Sequence, residues 1–423
     1  MNKLYLILIL LLLYDVANAQ DDTLTIDKSI EIALKNNPQV KIAESNYESS
    51  AANLLGVRSA IYPQVSLQTN WTNNGGTSFV GPNAFAREYQ NYSTGFQGQM
   101  LIFDFGKTYS KISAASDLKS ASEQDYIGAK ENLILDTYNA YFTYLQAHRL
   151  KNVSEEVVRQ ADEHLQQANA FYKVGTKPQF DVLKAQSDLA NAKVNLITAD
   201  NNIQIARLQL ENELNIKLEK NFLIKDNLDY NKEVIELNDA LASAKDKRPE
   251  IISSKFRVEA SKSGLTSAWT SNLPAINATG GYNWRTLDLK QQFVDSWNLG
   301  LSISLPIFQG FALQSGIDLA DANLKNAQAQ DEFINQTVSL DVQQQYSNWQ
   351  QAGAKIDAAK LFVNQALETL KIAEGRYKQE VGSTVDVTDA RVAYFNAQII
   401  YIQSLYDYQI SYVRLQRAMG ILK

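Results

Sequence analysis

Residues 135–147 read LDTYNAYFTYLQA, and residues 340–352 read LDVQQQYSNWQQA. The match is part of a longer one. Residues 103–216 align with residues 308–421 at a constant offset of 205, without a gap. Ile102-Phe103 returns as Ile307-Phe308, Leu135-Asp136 as Leu340-Asp341, and Gln146-Ala147 as Gln351-Ala352. Upstream the offset is 211, with Pro38 matching Pro249, Glu48 matching Glu259 and Pro63 matching Pro274. The six-residue difference between the two offsets falls between Pro63 and Phe103. A unit of about 200 residues is too long for a solenoid repeat. The chain therefore reads as two similar halves related by a pseudo-symmetry axis.

After the second proline of each half the period changes from helical to two. After Pro63, Val65, Leu67, Thr69 and Trp71 alternate with polar residues, as do Phe96, Gly98, Met100 and Ile102. After Pro274, the same period of two runs through Ile276, Ala278, Gly280 and Tyr282, then Trp297, Leu299, Leu301, Ile303 and Leu305. These are four strands of about ten residues, the length of a tilted membrane-spanning strand. Trp71, Trp284 and Trp297 stand at their loop-side ends and, with Tyr92 and Tyr282, suit an interfacial aromatic girdle; a soluble hairpin also favours aromatics. The loops, Thr72–Asn91 and Arg285–Ser296, are largely polar.

The rest is helical in period. Asn36-Asn37-Pro38 places a proline in the first turn of a helix, where its missing N–H costs nothing. Between Gly106 and Gly175 there is no proline and one internal glycine, Gly128. A helix over that whole stretch would span roughly 100 Å at about 1.5 Å per residue. Its partner carries the stripe Ala185, Leu189, Ala192, Leu196, Ala199, Ile203, Ala206 and Leu210, which steps alternately by four and three. That is a strict heptad and implies coiled-coil packing. The second half has Ala390, Tyr394, Ala397, Tyr401, Ser404, Tyr408, Ser411 and Leu415 at the same steps, a less dry seam.

The first segment reads as an export signal over residues 1–19, with Lys3, the apolar run Leu4 to Leu13 and the small-residue site Ala17-Asn18-Ala19. The run is far shorter than the ~20 residues a membrane helix needs. Repeat 1 then covers 20–217, with strands about 63–72 and 92–103. A charge-rich, aperiodic connecting segment covers 218–235. Repeat 2 covers 236–423, with strands about 274–284 and 297–307. Cysteine is absent, which excludes a disulfide framework and a thiolate metal site. The formal charge of −6 makes the chain a poor nucleic-acid binder.

Catalysis has no visible support. The two histidines, His148 and His164, lie 16 residues apart on helix, whereas a metal pair on one helix face needs i, i+4 spacing. A structural or solvent-facing role suits both. Gly75-Gly76 is too short for a nucleotide-binding loop. No cofactor or metal is expected.

Four strands cannot close a barrel, and an open edge in lipid leaves backbone groups unpaired at several kcal/mol each. Several chains must then share one barrel. This arrangement resembles the TolC family of outer-membrane efflux channels over essentially the whole mature chain. The resemblance is carried by Asn36-Asn37-Pro38, Tyr62-Pro63, Ile102-Phe103-Asp104, Arg248-Pro249-Glu250, Leu273-Pro274 and Pro306-Ile307-Phe308-Gln309-Gly310. The segments Tyr172–Asp181 and Val385-Asp386-Val387-Thr388-Asp389-Ala390 complete it. Single motifs among these are weak; their order, duplication and spacing together are specific.

The resemblance implies a mainly α fold with a small β part. Long coiled-coil α-hairpins and four membrane β-strands per chain would assemble as a homotrimeric α/β-barrel tunnel across the periplasm. It implies an outer-membrane location, with partners in a periplasmic adaptor and an inner-membrane transporter. It places an entrance gate on Asp386, Asp389 and Tyr377, with Asp181 the first-half equivalent of Asp386. Three copies would bring six carboxylates into a ring that attracts cations; Asp386 also suits a helix cap. An arginine that helps to lock the family's entrance falls on Gly382. Adaptor docking falls on the tips Val174-Gly175-Thr176 and Val381-Gly382-Ser383, with Glu380 in place of the second glycine. A plain helix-hairpin turn also explains the glycine. The function implied is a passive conduit from periplasm to exterior for small molecules, such as drugs and toxic compounds, or for secreted proteins. The other class of reading is a trimeric coiled-coil surface stalk or adhesin. A stalk needs one heptad run, whereas this chain returns through the strand region twice.

Overall fold

The computed structural model describes residues 23–80, 83–218, 222–226 and 233–422. The expected signal, residues 1–19, lies outside them, as do 219–221 and 227–232 of the connecting segment. The order of elements is β1 (Thr23–Leu24), α1 (Ile26–Asn36), α2 (Pro38–Arg58), β2 (Gln64–Val80), β3 (Asn83–Phe103), α3 (Lys107–Lys173), α4 (Gln179–Leu214) and β4 (Leu223–Ile224). It continues with α5 (Leu237–Lys247), α6 (Pro249–Thr270), β5 (Ala275–Thr286), β6 (Val294–Ser304), α7 (Ala312–Lys378) and α8 (Thr384–Ala418). The chain forms two compact units, each drawing on both halves of the sequence: residues 1–43, 127–249 and 336–423, and residues 44–126 and 250–335. Among the described residues no helix is long and apolar enough to cross a membrane.

The second unit holds an antiparallel sheet in the order β2-β3-β5-β6. Its register explains the alternation. Val65 faces Gly98, Gly98 faces Gly280, and Gly280 faces Leu299. The next row on the same face is Leu67, Phe96, Tyr282 and Trp297. All of these apolar side chains are exposed, Leu299 to 80%. The opposite face carries Gln64, Ser66, Gln68, Asn70, Gln97, Gln99, Asn277, Thr279, Asn283, Asn298 and Ser302. One face of this sheet is mainly apolar, and the other is mainly amide and hydroxyl, with Leu101, Arg285 and Val294 among them.

The aromatics gather on the apolar face. Trp71 pairs with Tyr92, Trp284 with Thr94, and Tyr282 with Trp297, within three successive rows of that face. The Tyr282 and Trp284 rings lie 4.8 Å apart, edge to face. The first hairpin continues beyond them, and this corrects the expectation of a loop over Thr72–Asn91. The β2–β3 ladder runs without a shift from Gln64↔Gln99 to Val80↔Asn83, so Trp71 lies inside a strand rather than at its end. Asn73-Asn74-Gly75-Gly76 has low strand propensity and reads as loop. An established register costs little to extend, and pairing prevails. In the second hairpin the strands reach Thr286 and resume at Val294, inside the expected loop.

The first unit is built on paired helices. The predicted stripe on α4 is buried at Ala185, Leu189, Ala192, Ala199, Ile203, Ala206 and Leu210, with Leu196 half-buried. Leu189 and Ala192 pack with Ala161, Val157 and Val158 of α3. On α8, Ala390, Ala397, Ser404, Tyr408, Ser411 and Leu415 are buried. The Ser404 and Ser411 hydroxyls donate to the carbonyls of Tyr401 and Tyr408, which lets a hydroxyl sit in the seam unpenalised. The connecting segment is anchored as well. β4 pairs in parallel with β1, and the buried Tyr141 hydroxyl donates to the carbonyls of Leu24 and Lys225 at 3.1 and 2.6 Å.

Left-handed backbone marks the joints. The described residues with positive φ are Phe105, Gly106, Gly175, Asn215, Gly310, Phe311, Glu380 and Gly420. Every one pairs with another at the offset of 205, and each pair contains one glycine. The conformation recurs where the glycine does not. A joint in the fold requires it, at a cost of about 1–2 kcal/mol for an L side chain.

Gly95 is fixed by contact instead. A Cβ there would lie 2.6 Å from the Tyr282 carbonyl oxygen and collide with the Asn283 side-chain amide oxygen. Gly95→Val is therefore expected to unseat β3 from β5. The yield of protease-resistant protein should fall several-fold, while Gly76→Val, with open space around it, should leave that yield unchanged.

Candidate functional site

The tips of the two long hairpins lie in the first unit, and each is a helix end closed by its own backbone. At the end of α3 the Gly175 N–H donates to Tyr172 O and the Thr176 N–H to Phe171 O, both at 3.0 Å. With Gly175 at φ +80°, this is a Schellman closure. At the end of α7 the Glu380 N–H donates to Tyr377 O at 3.0 Å and the Val381 N–H to Arg376 O at 3.1 Å. The closure is the same, with glutamate at φ 63° where the first tip has glycine. Gly382 then folds back so closely that a Cβ would stand 2.8 Å from the Tyr377 backbone nitrogen. That contact excludes the arginine that the family resemblance leads one to seek here.

Between the tips lies a buried polar cluster. Tyr377 is 1% exposed, and its hydroxyl donates to Asp181 Oδ2 at 3.3 Å. Burial and then the Asp181 charge push the phenol up to about 12, so it stays a donor at neutral pH. His164, 3% exposed, lies with its ring centroid 5.2 Å from that of Tyr377, and its Nε2 is 3.0 Å from Thr384 Oγ1 on α8. Burial, reinforced by Arg391, drives His164 down to about 4, against Asp188, Glu374 and Asp181, which act the other way. Thr388 donates to Asp188 Oδ2 at 2.8 Å, a further link from α8 to α4. Arg391 pairs with Glu374 at 2.9 Å. These two line a cavity of about 580 Å³, together with His164, Tyr377, Glu163 and Arg159.

The structure thus brings Tyr377 and Asp181 together in a buried contact, while Asp386 and Asp389 are exposed. Asp386 completes a capping box: its Oδ2 accepts from the Ser383 N–H at 3.4 Å, and Ser383 Oγ accepts from the Val385 N–H at 3.1 Å. Asp386 is nevertheless exposed, and so is Asp389 one turn later on the same side of α8. Of the docking-tip residues, Val174, Gly175, Thr176, Val381 and Ser383 are exposed and Gly382 is half-buried. His164 was legible only as a structural or solvent-facing residue. Its partner Thr384 is 220 positions away, and no local pattern signals that distance. His148 is held locally, by the Tyr144 hydroxyl at 2.9 Å. Among the described residues no group of carboxylates and histidines is placed to hold a metal ion.

An exposed apolar sheet face backed by a polar one, with long paired helices in the same chain, defines a β-strand membrane protein with a helical body. The chain belongs to the outer membrane efflux protein family, which it matches over residues 29–215 and 240–421. It is 26% identical to the outer membrane protein TolC of Escherichia coli K12 over 401 residues, covering 91% of this chain and 80% of that protein. It is 24% identical to the solvent efflux pump outer membrane protein SrpC of Pseudomonas putida, covering 92% of this chain and 84% of that one. In fold it is similar to the Campylobacter jejuni CmeC outer membrane channel, with a TM-score of 0.83 and 22% identity over 93% of this chain and 85% of that one. The protein is an efflux channel component of the outer membrane, and the stalk or adhesin reading is set aside.

The buried histidine makes the tips acid-sensitive. His164 binds a proton below about pH 6.5 when unfolded and only below about pH 4 when folded. Its contribution to stability is complete above pH 6.5 and is lost as pH falls from there toward 4. The whole loss is on the order of 3 kcal/mol. Hydrogen exchange across residues 160–170 and 377–390 at pH 7.5, 5.5 and 4.5 should show protection falling with pH. In His164→Gln this component should be absent.

Proposed function

We propose that three copies of this chain form one conduit, with twelve strands in the outer membrane and the helices continuing into the periplasm. The single observation that carries the reading is the division of the sheet into an exposed apolar face and a polar face, with β2 and β6 each paired on one side only. Lipid suits the first face and water the second. The two edges require strands from other copies, because hydrocarbon cannot satisfy their backbone groups. The pairing of all positive-φ residues at one offset supports a two-repeat chain, and with it a near-uniform ring built from three copies. Crosslinking of the protein in detergent should give three chains; a stable folded monomer would refute the reading.

The conduit is passive, works without catalysis, and takes its energy from an inner-membrane transporter reached through a periplasmic adaptor. The exposed tips at Val174-Gly175-Thr176 and Val381-Gly382-Ser383 are the proposed adaptor contacts. The cargo is small molecules such as drugs and toxic compounds, a class that includes the solvents named for the relative SrpC, or secreted proteins. Asp386 and Asp389, with Tyr377 and Asp181 behind them, form the entrance. Two exposed carboxylates one helical turn apart, repeated in each copy, attract cations, and salt screens the effect. Capping accounts for Asp386 but leaves Asp389 unexplained. Planar-bilayer recording of the double Asp386→Ala, Asp389→Ala channel should show weaker cation preference and weaker block by multivalent cations added on the helical side. Unchanged values in an intact trimer would move the constriction elsewhere.

A further inference from the structure

Lys177 stands in the turn between α3 and α4, inside the segment Tyr172–Asp181, and the sequence gives it no role of its own. Its Nζ donates to Gly382 O at 3.0 Å and to Glu380 O at 3.3 Å. The same ammonium lies 5.1 Å from the centroid of the buried Tyr377 ring. All three partners belong to the other hairpin. The two carbonyls follow the C-terminal end of α7, where the aligned peptide dipoles favour a cation. Lys177 is half-buried, so its contacts are partly withdrawn from water, where charged hydrogen bonds are stronger.

At the offset of 205, the position equivalent to Lys177 is Gly382, which has no room for a side chain. The lysine of the first tip therefore fastens the segment 379–383, and α8 begins directly after it with Asp386 and Asp389 in its first two turns.

We propose that Lys177 is the positioning residue that clamps the two tips of one chain together and thereby fixes where Asp386 and Asp389 stand. The assignment rests on the reading of the tips as the channel entrance. His164···Thr384 and Tyr377→Asp181 bury their polar atoms, whereas the Lys177 contacts are more exposed.

The test compares the full-length wild type with Lys177→Met, which keeps the apolar stem, and Lys177→Arg, which keeps a cationic donor. Hydrogen exchange of residues 379–386 should be about tenfold faster in Lys177→Met and near wild type in Lys177→Arg. In planar bilayers with potassium chloride, Lys177→Met should spend more time at higher conductance and show reduced cation preference, again restored by arginine. Unchanged exchange in Lys177→Met overturns the clamp. Faster exchange with unchanged conductance overturns the positioning role and leaves a structural tie. Unchanged cation preference in the double Asp386→Ala, Asp389→Ala channel overturns the reading of the tips as an entrance, and the exchange arm still decides whether the clamp exists.

Discussion

A peptide N–H or C=O left without a partner in hydrocarbon costs several kcal/mol. β2 and β6 each present one row of such groups beside an apolar face. Most of what this chain is follows from that pairing of facts. The apolar face is unstable in water, and the open edges are unstable in lipid. Neither can be relieved by lengthening the strands or by moving them into the helical unit. Relief comes from further strands of the same kind. A chain that supplies only four is committed by its backbone to company, before any side chain at an interface is considered. The helices carry no such obligation, and their seams close on small residues and buried hydroxyls within the chain.

The left-handed residues express a second constraint. A hairpin tip or a strand-to-helix joint must reverse or tilt the backbone in a fixed way, and the same four joints occur in both halves. Glycine meets this need at no steric cost, yet each joint has lost its glycine in one half. At 105 and 310, and at 106 and 311, phenylalanine and glycine have exchanged places. Asn215 tolerates the conformation better than most residues do, whereas Glu380 has only the surrounding hydrogen bonds to hold it there. The tip containing Glu380 is thus the more strained of the two.

The fold was legible because its signals are periodic. Period two gave the strands, steps of four and three gave α4 and α8, and the absence of proline gave the lengths of α3 and α7. Where the structure departs from the sequence reading, a local rule was overruled by a neighbour. Asn73 to Gly76 are poor strand formers, and pairing with 87–90 makes them a strand regardless. The candidate site was legible only in part. Tyr377 and Asp181 are signalled by the family resemblance, but their contact joins residues 196 positions apart. His164 carries no pattern, and Lys177 none beyond its place in the segment Tyr172–Asp181. Each bonds across the two hairpins, over 220 and 203 to 205 positions, and a single sequence offers nothing to link such partners.

The polar face of the sheet has one more property. Over the four-stranded rows it is built of glutamine, asparagine, serine, threonine and glycine, apart from Arg285 and Val294 in the row nearest the second hairpin's turn. Amides and hydroxyls trade hydrogen bonds with water at little net gain. A solute moving along such a wall finds no site that holds it better than the solvent does. In the proposed conduit the strands would then be a stretch of low adhesion, wetted but not sticky. Departing molecules leave as fast as they diffuse, and none lingers to obstruct the next.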